Sequence, residues 1–152
     1  MNYIDVQIVT QSDYPAPEMF QEWVDAALTA RTQDSEIVLR LVDETESAEL
    51  NLQYRHKKAP TNILSFPFEA PPGIELDLLG DLVICAPLIA QEAKQQHKLP
   101  AHHWAHITIH GVLHLLGYDH IEEQDAEQME ALEIEILHKL NIANPYLEES
   151  TQ

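Results

Sequence analysis

The eleven-residue stretch HGVLHLLGYDH, residues 110 to 120, limits the folds open to this chain more than any other segment. It demands a helix, a stop and a reversal. Four helical residues advance about 400°, so His110 and His114 stand one turn apart on one face. Gly117 can adopt the left-handed backbone that ends a helix, and the chain then turns back so that His120 approaches from outside. Three imidazoles leave one position of a tetrahedral ion open. That is the pattern of catalytic zinc, whereas structural zinc is usually closed by four ligands, often cysteines. The chain has one cysteine, Cys85, so a structural thiolate site is disfavoured and an internal disulfide is excluded. A single histidine pair would suit a solvated or packed helix face. Three at this spacing, with glycine at the turn, predict one zinc per chain held by His110, His114 and His120.

The spacing matches the zinc-peptidase signature H-E-x-x-H-x-x-G-x-x-H except at its second position, which is Gly111 rather than glutamate. His106 and His103 lie one and two turns earlier on the same face. Each is read as helix packing with a satisfied ring nitrogen in preference to a partner of the metal ligands. Asp119, beside a ligand, is a candidate acceptor for an imidazole N–H, with an exposed turn acid as the alternative.

Upstream the periodicity changes. Ile4, Val6 and Ile8 alternate with polar residues, as do Ile37, Leu39 and Leu41, which predicts half-buried strands. Between them Phe20, Trp23, Val24, Ala27 and Leu28 keep helical spacing. After Asp43, a candidate N-cap, ETESAELNLQYR has no helix breaker until Pro60. NILSFPF and GDLVIC read as two more strands, the first at an edge or near its end because of Pro67. Helices are expected at about 86 to 98, 101 to 116 and 124 to 140. The order is mixed early and all-helical late, an α+β domain with a small mixed sheet of about four strands and about five helices over it. The 152 residues fit one domain able to bury roughly 70% of its unfolded surface.

No basic, apolar leader opens the chain and no run of about 18 apolar residues follows; with the lone cysteine, this predicts a soluble cytoplasmic protein without a membrane partner. The formal charge of −18 argues against nonspecific attraction to nucleic acid. Three of the eight basic residues, Arg55, Lys57 and Lys58, nevertheless fall in YRHKK. The acids crowd into 43 to 49 and 122 to 135, both read as solvated faces. Cys85 reads as a small apolar strand residue. Asp81, beside an apolar run, is either a partner of the site or a cap on a strand turn.

HGVLHLLGYDH, YRHKKAPTNILSFPFE and LGDLVICAP, in this order and rough spacing, resemble the YbeY family of bacterial metal-dependent endoribonucleases. The likeness covers roughly residues 35 to 147. It implies an α+β fold with a cleft over the metal, zinc on His110, His114 and His120, and Arg55 as the active-site arginine. It also implies a role in ribosomal RNA maturation, at the 3′ end of 16S RNA, and in ribosome quality control. The implied partners are ribosomal RNA on the small ribosomal subunit and a ribosome-assembly GTPase or ribosomal protein. Two departures stand out: the usual lysine-aspartate pair is Lys57-Lys58, and the aspartate of P-T-D-V-L-S-F is Asn62.

Zinc and a guanidinium suit phosphodiester cleavage, as Lewis acid and bidentate clamp. Peptide hydrolysis must also protonate a leaving amine, and glycine at 111 cannot shuttle that proton. Arg55 is therefore expected to clamp phosphate, with Lys57 as a secondary phosphate contact. Lys58 and His56 are expected in solvent and Tyr54 as a half-buried packing residue. Zinc-held water or the RNA 2′-hydroxyl would be the nucleophile. Two readings compete: a metallopeptidase-like hydrolase taking its base from Glu122, Glu123 or Asp119, and a non-catalytic ribosome-assembly protein in which the metal is structural.

Overall fold

A computed structural model of the chain describes residues 2–31, 34–69, 71–73, 77–118 and 122–146. Its sheet is built from the alternating segments. β1 (Tyr3–Ile8) lies parallel to β2 (Glu36–Val42), β2 lies parallel to β4 (Leu78–Cys85), and β3 (Ile63–Pro67) closes the sheet antiparallel to β4. The order β1-β2-β4-β3 leaves β3 at an edge, with Pro67 as its last residue. The sequence anticipated this, because proline cannot donate to a further ladder.

Alternation along the strands sorts side chains between the two faces. Ile37, Leu39, Leu41, Leu82, Ile84 and Ile63 enter the main core, while Val42, Val83 and Leu64 form a small second cluster on the other face. The main core is completed by α1 (Pro17–Ala27), α3 (Ala86–Gln95), α4 (Pro100–Leu115) and α5 (Glu123–Lys139). Phe20 meets Trp23 and Trp104 edge to face, at ring-centroid distances of 5.4 and 5.7 Å, joining α1 to α4. Pro17 and Pro100 open their helices, where an absent N–H costs nothing. α3 stops before the expected residue 98, since His97 takes a positive φ of 55°. Ile8, read as half-buried, is exposed at the end of β1.

The second face is covered by α2 (Glu44–Arg55), which has almost no apolar stripe. Two buried polar side chains hold it instead. Ser47 Oγ donates to the Thr61 carbonyl at 2.8 Å and accepts from Thr61 N–H at 3.0 Å, and Asn51 Nδ2 donates to the Ala59 carbonyl at 2.6 Å. α2 is thereby tied to the segment that feeds β3. Asp43 stands at its N-cap position, but the carboxylate accepts from Thr10 Oγ1 and the Gln11 N–H instead of capping the helix.

Candidate active site

α4 is the spine of the site. From His103 to Leu115 every residue is buried except His110 and His114, both only half-buried. The adjoining flank of the helix is pressed against the sheet. A Cβ at Gly111 would stand 2.5 Å from Ile63 Cδ1 and 2.9 Å from Leu82 Cδ2, both well inside van der Waals contact. Any side chain at the second motif position would therefore make Ile63 or Leu82 shift. The usual zinc-peptidase base is absent from this position, and the proposed substitutes Glu122 and Glu123 are exposed at the start of α5. His120 and Asp119 lie outside the described residues.

The two histidines face one another with their Nε2 atoms 3.0 Å apart. Two nitrogens bound to one tetrahedral zinc at about 2.0–2.1 Å stand about 3.3 Å apart, so the pair is within a few tenths of an ångström of chelating distance. His110 Nδ1 lies 2.5 Å from Oε1 of Glu133. A carboxylate only accepts, so Nδ1 carries the proton and the lone pair sits on Nε2, where a metal would need it. Among the described residues no cluster of three His, Cys, Asp or Glu side chains is placed to hold a metal ion. The described part of the donor set is thus a histidine pair, one member oriented by a carboxylate, and its chemistry fits zinc.

The sequence does not single out Glu133, because the acids of 122 to 135 read as a solvated face. It is fully buried. Its other oxygen accepts from His106 Nε2 at 3.1 Å and from the Tyr146 hydroxyl. His106 Nε2 also reaches the Tyr146 oxygen at 3.2 Å. Burial alone would raise the Glu133 pKa, but hydrogen bonds from His106, His110 and Tyr146 outweigh it and hold the carboxyl at about 2. Burial and the anionic partner push the Tyr146 hydroxyl up, so it stays protonated and donates. The overlooked signal was periodic: Met129, Glu133, Ile136 and Leu137 form the buried stripe of α5, and an acid in such a stripe needs partners. Asp81, by contrast, is exposed on the sheet face away from α4 and does not orient the histidines.

His103 behaves as expected of a packed histidine, its Nε2 lying 2.8 Å from Oε1 of Glu92. Asn62 Nδ2 donates to that same oxygen at 3.2 Å, a bond that an aspartate at 62 could not make.

β3, the end of α2 and the end of α4 enclose a cleft of about 680 Å³. Residues 61 to 67 line it along the sheet edge, Tyr54 and Arg55 line it from α2, His110 and His114 from α4, and Gly117 and Tyr118 from the turn that follows α4. The structure thus brings Arg55 and the histidine pair to one cavity. His56, left-handed at φ 59°, ends α2 immediately after Arg55. Lys57 and Lys58 are exposed beyond this turn and do not line the cleft. Tyr54 differs from expectation: it is 56% exposed.

A family model described as Endoribonuclease YbeY matches residues 6–141. A protein of Colwellia psychrerythraea (strain 34H / ATCC BAA-681) named Endoribonuclease YbeY is 54% identical over 151 residues, spanning 96% of this chain and 97% of its own. The solution structure of TM1509 from Thermotoga maritima shares the fold with a TM-score of 0.60 at 22% identity, over 100% of this chain and 99% of the other. With the motif blocks, the fold and the length of the match in agreement, this chain belongs to the YbeY endoribonuclease family.

Proposed function

We propose that the protein is a zinc-dependent endoribonuclease of single-stranded RNA that acts in the cytoplasm in ribosomal RNA maturation, at the 3′ end of 16S RNA, and in ribosome quality control. One observation supports the reading: a guanidinium, Arg55, and a facing histidine pair, His110 and His114, line the same cleft, while Gly111 offers no peptidase base at the second motif position. When bound, zinc supplies positive charge at a phosphoryl oxygen and makes water acidic enough to attack near neutral pH. His110 and His114 would hold it, with His120 completing the set. Glu133 keeps the His110 proton on Nδ1 and the ring fixed. Arg55 donates two parallel hydrogen bonds to the non-bridging phosphate oxygens, a geometry its planar fork is built for. Lys57, exposed one turn beyond, contacts a phosphate farther along the strand. A single strand suits the cleft because its backbone can bend and its bases are accessible.

The test separates metal from clamp. The isolated protein should carry about one zinc per chain, and His110→Ala, His114→Ala or His120→Ala should remove metal and RNA cleavage together. Arg55→Ala should depress cleavage strongly while zinc content and thermal stability stay near those of the parent. An Arg55→Ala protein that cuts RNA as fast as the parent would sink the clamp, and no stoichiometric transition metal would sink the centre.

A further inference from the structure

We propose that Tyr54 is a stacking platform for one nucleobase of the bound strand, and that it selects unpaired over paired RNA; this rests on the function proposed above. The ring projects from the last turn of α2 beside Arg55 and lines the same cleft, yet is 56% exposed. It is not loose. The Phe66 ring meets it edge to face, with centroids 4.9 Å apart and planes at 71°. Phe66 itself packs on the cluster of Val42, Leu64 and Val83, so the brace is anchored in the sheet. The helix beneath is pinned by buried Ser47 and Asn51. A large aromatic surface is thus held in one orientation and left open to water beside the candidate phosphate clamp.

That placement suits a base adjacent to the clamped phosphate. Stacking on an aromatic face is tolerant of base identity and changes affinity by about 5- to 150-fold per base. It is also independent of net charge, which matters for a protein of −18 with few cations at the cleft. Paired bases are stacked within the helix and present only their edges, so a platform of this kind is satisfied only by a strand whose base is free.

The experiment walks one abasic position along a short mixed-sequence RNA strand and measures binding to the zinc-loaded protein before cleavage sets in. At one register the wild type should lose about 5- to 150-fold in affinity. Tyr54→Ala should lose a similar factor on the intact strand and nothing further at that register. Tyr54→Phe should match the wild type, and Tyr54→Leu, which keeps bulk against Phe66, should match Tyr54→Ala, with the thermal midpoint of each variant recorded to exclude unfolding. A flat walk for the wild type, or equal losses for Tyr54→Ala on intact and abasic strands, would overturn the platform. If cleavage still depends on Arg55 in that case, only Tyr54 has failed. If the wild type neither binds nor cuts any single strand, the platform falls together with the nuclease reading.

Discussion

Glu133 on α5 and His110 on α4 meet through a 2.5 Å contact between Oε1 and Nδ1, in a place where the carboxylate is wholly shielded from water. This contact fixes both the tautomer and the ring plane of a candidate metal ligand. Glu133→Gln replaces an all-acceptor group with one that presents N–H to donors already in place. Zinc affinity should fall by roughly 10- to 100-fold, the usual cost of losing such a partner. Chelator competition measures it, and unchanged affinity in a folded variant would mean that Glu133 does not orient the site.

The same network sets acid sensitivity. Glu133 is held at about 2 against an ordinary 4.5, so its contribution to stability is complete above about 4.5 and is lost as pH falls towards 2. Burial, only partly offset by Glu133, lowers the His106 pKa from 6.5, which adds a loss of the same sign beginning below that pH. Chelator-treated protein should therefore lose stability in two stages on acidification, and Glu133→Gln should lack the lower one. Denaturant midpoints between pH 7 and 3 would show it. Equal slopes for parent and variant below pH 4.5 would count against the network.

Gly111 separates this site from a peptidase more sharply than composition does. Gly111→Ala must displace Ile63 or Leu82, and overpacking of this kind costs about 1–3 kcal/mol. Gly111→Glu restores the peptidase motif on paper, but its Cβ must likewise displace Ile63 or Leu82. We expect a strongly destabilised protein with no peptide hydrolysis. A stable, zinc-loaded Gly111→Glu protein that cleaves peptides would show that α4 can rotate away from the sheet.

What the sequence disclosed and what it hid divide along the range of the interactions. The strands, the edge position of β3 and the histidine pair follow from periodicity and spacing within a few residues, which local backbone geometry enforces. Glu133, Tyr146 and the pairing of Glu92 with His103 and Asn62 depend on contacts across 11 to 40 positions. Nothing in a local window announces them, although an acid in the apolar stripe of α5 was a trace. α2 was legible as a helix but not as one pinned by buried Ser47 and Asn51. Tyr54 departs from its expected packing because Phe66, itself partly buried against the small cluster, lies between it and the sheet face, and Tyr54 rests on it.

Salt dependence tests how the protein holds a polyanion with so acidic a surface. Of the eight basic residues, Arg40 is paired with Glu46 at 2.5 Å, Lys139 lies 3.7 Å from Glu135, and Lys98 donates to the Pro145 carbonyl. Arg55, Lys57 and Lys58 are the cluster at the cleft end of α2. Each phosphate neutralised on a single strand contributes a log-log slope near −0.7, so two or three contacts give a slope on the order of −1 to −2. Repulsion from the surrounding acids weakens binding at low salt and is itself screened as salt rises, which flattens the slope further. Binding by the isolated protein should be weak and nearly salt-tolerant, which leaves a role for a partner that presents the RNA. Stacking on Tyr54, being insensitive to salt, would leave the slope unchanged while raising affinity. Binding of a cleavage-impaired, zinc-loaded form across about 50 to 300 mM salt measures this. A slope as steep as about −4 would require a basic surface that the described residues do not present, and would remove the need for a presenting partner.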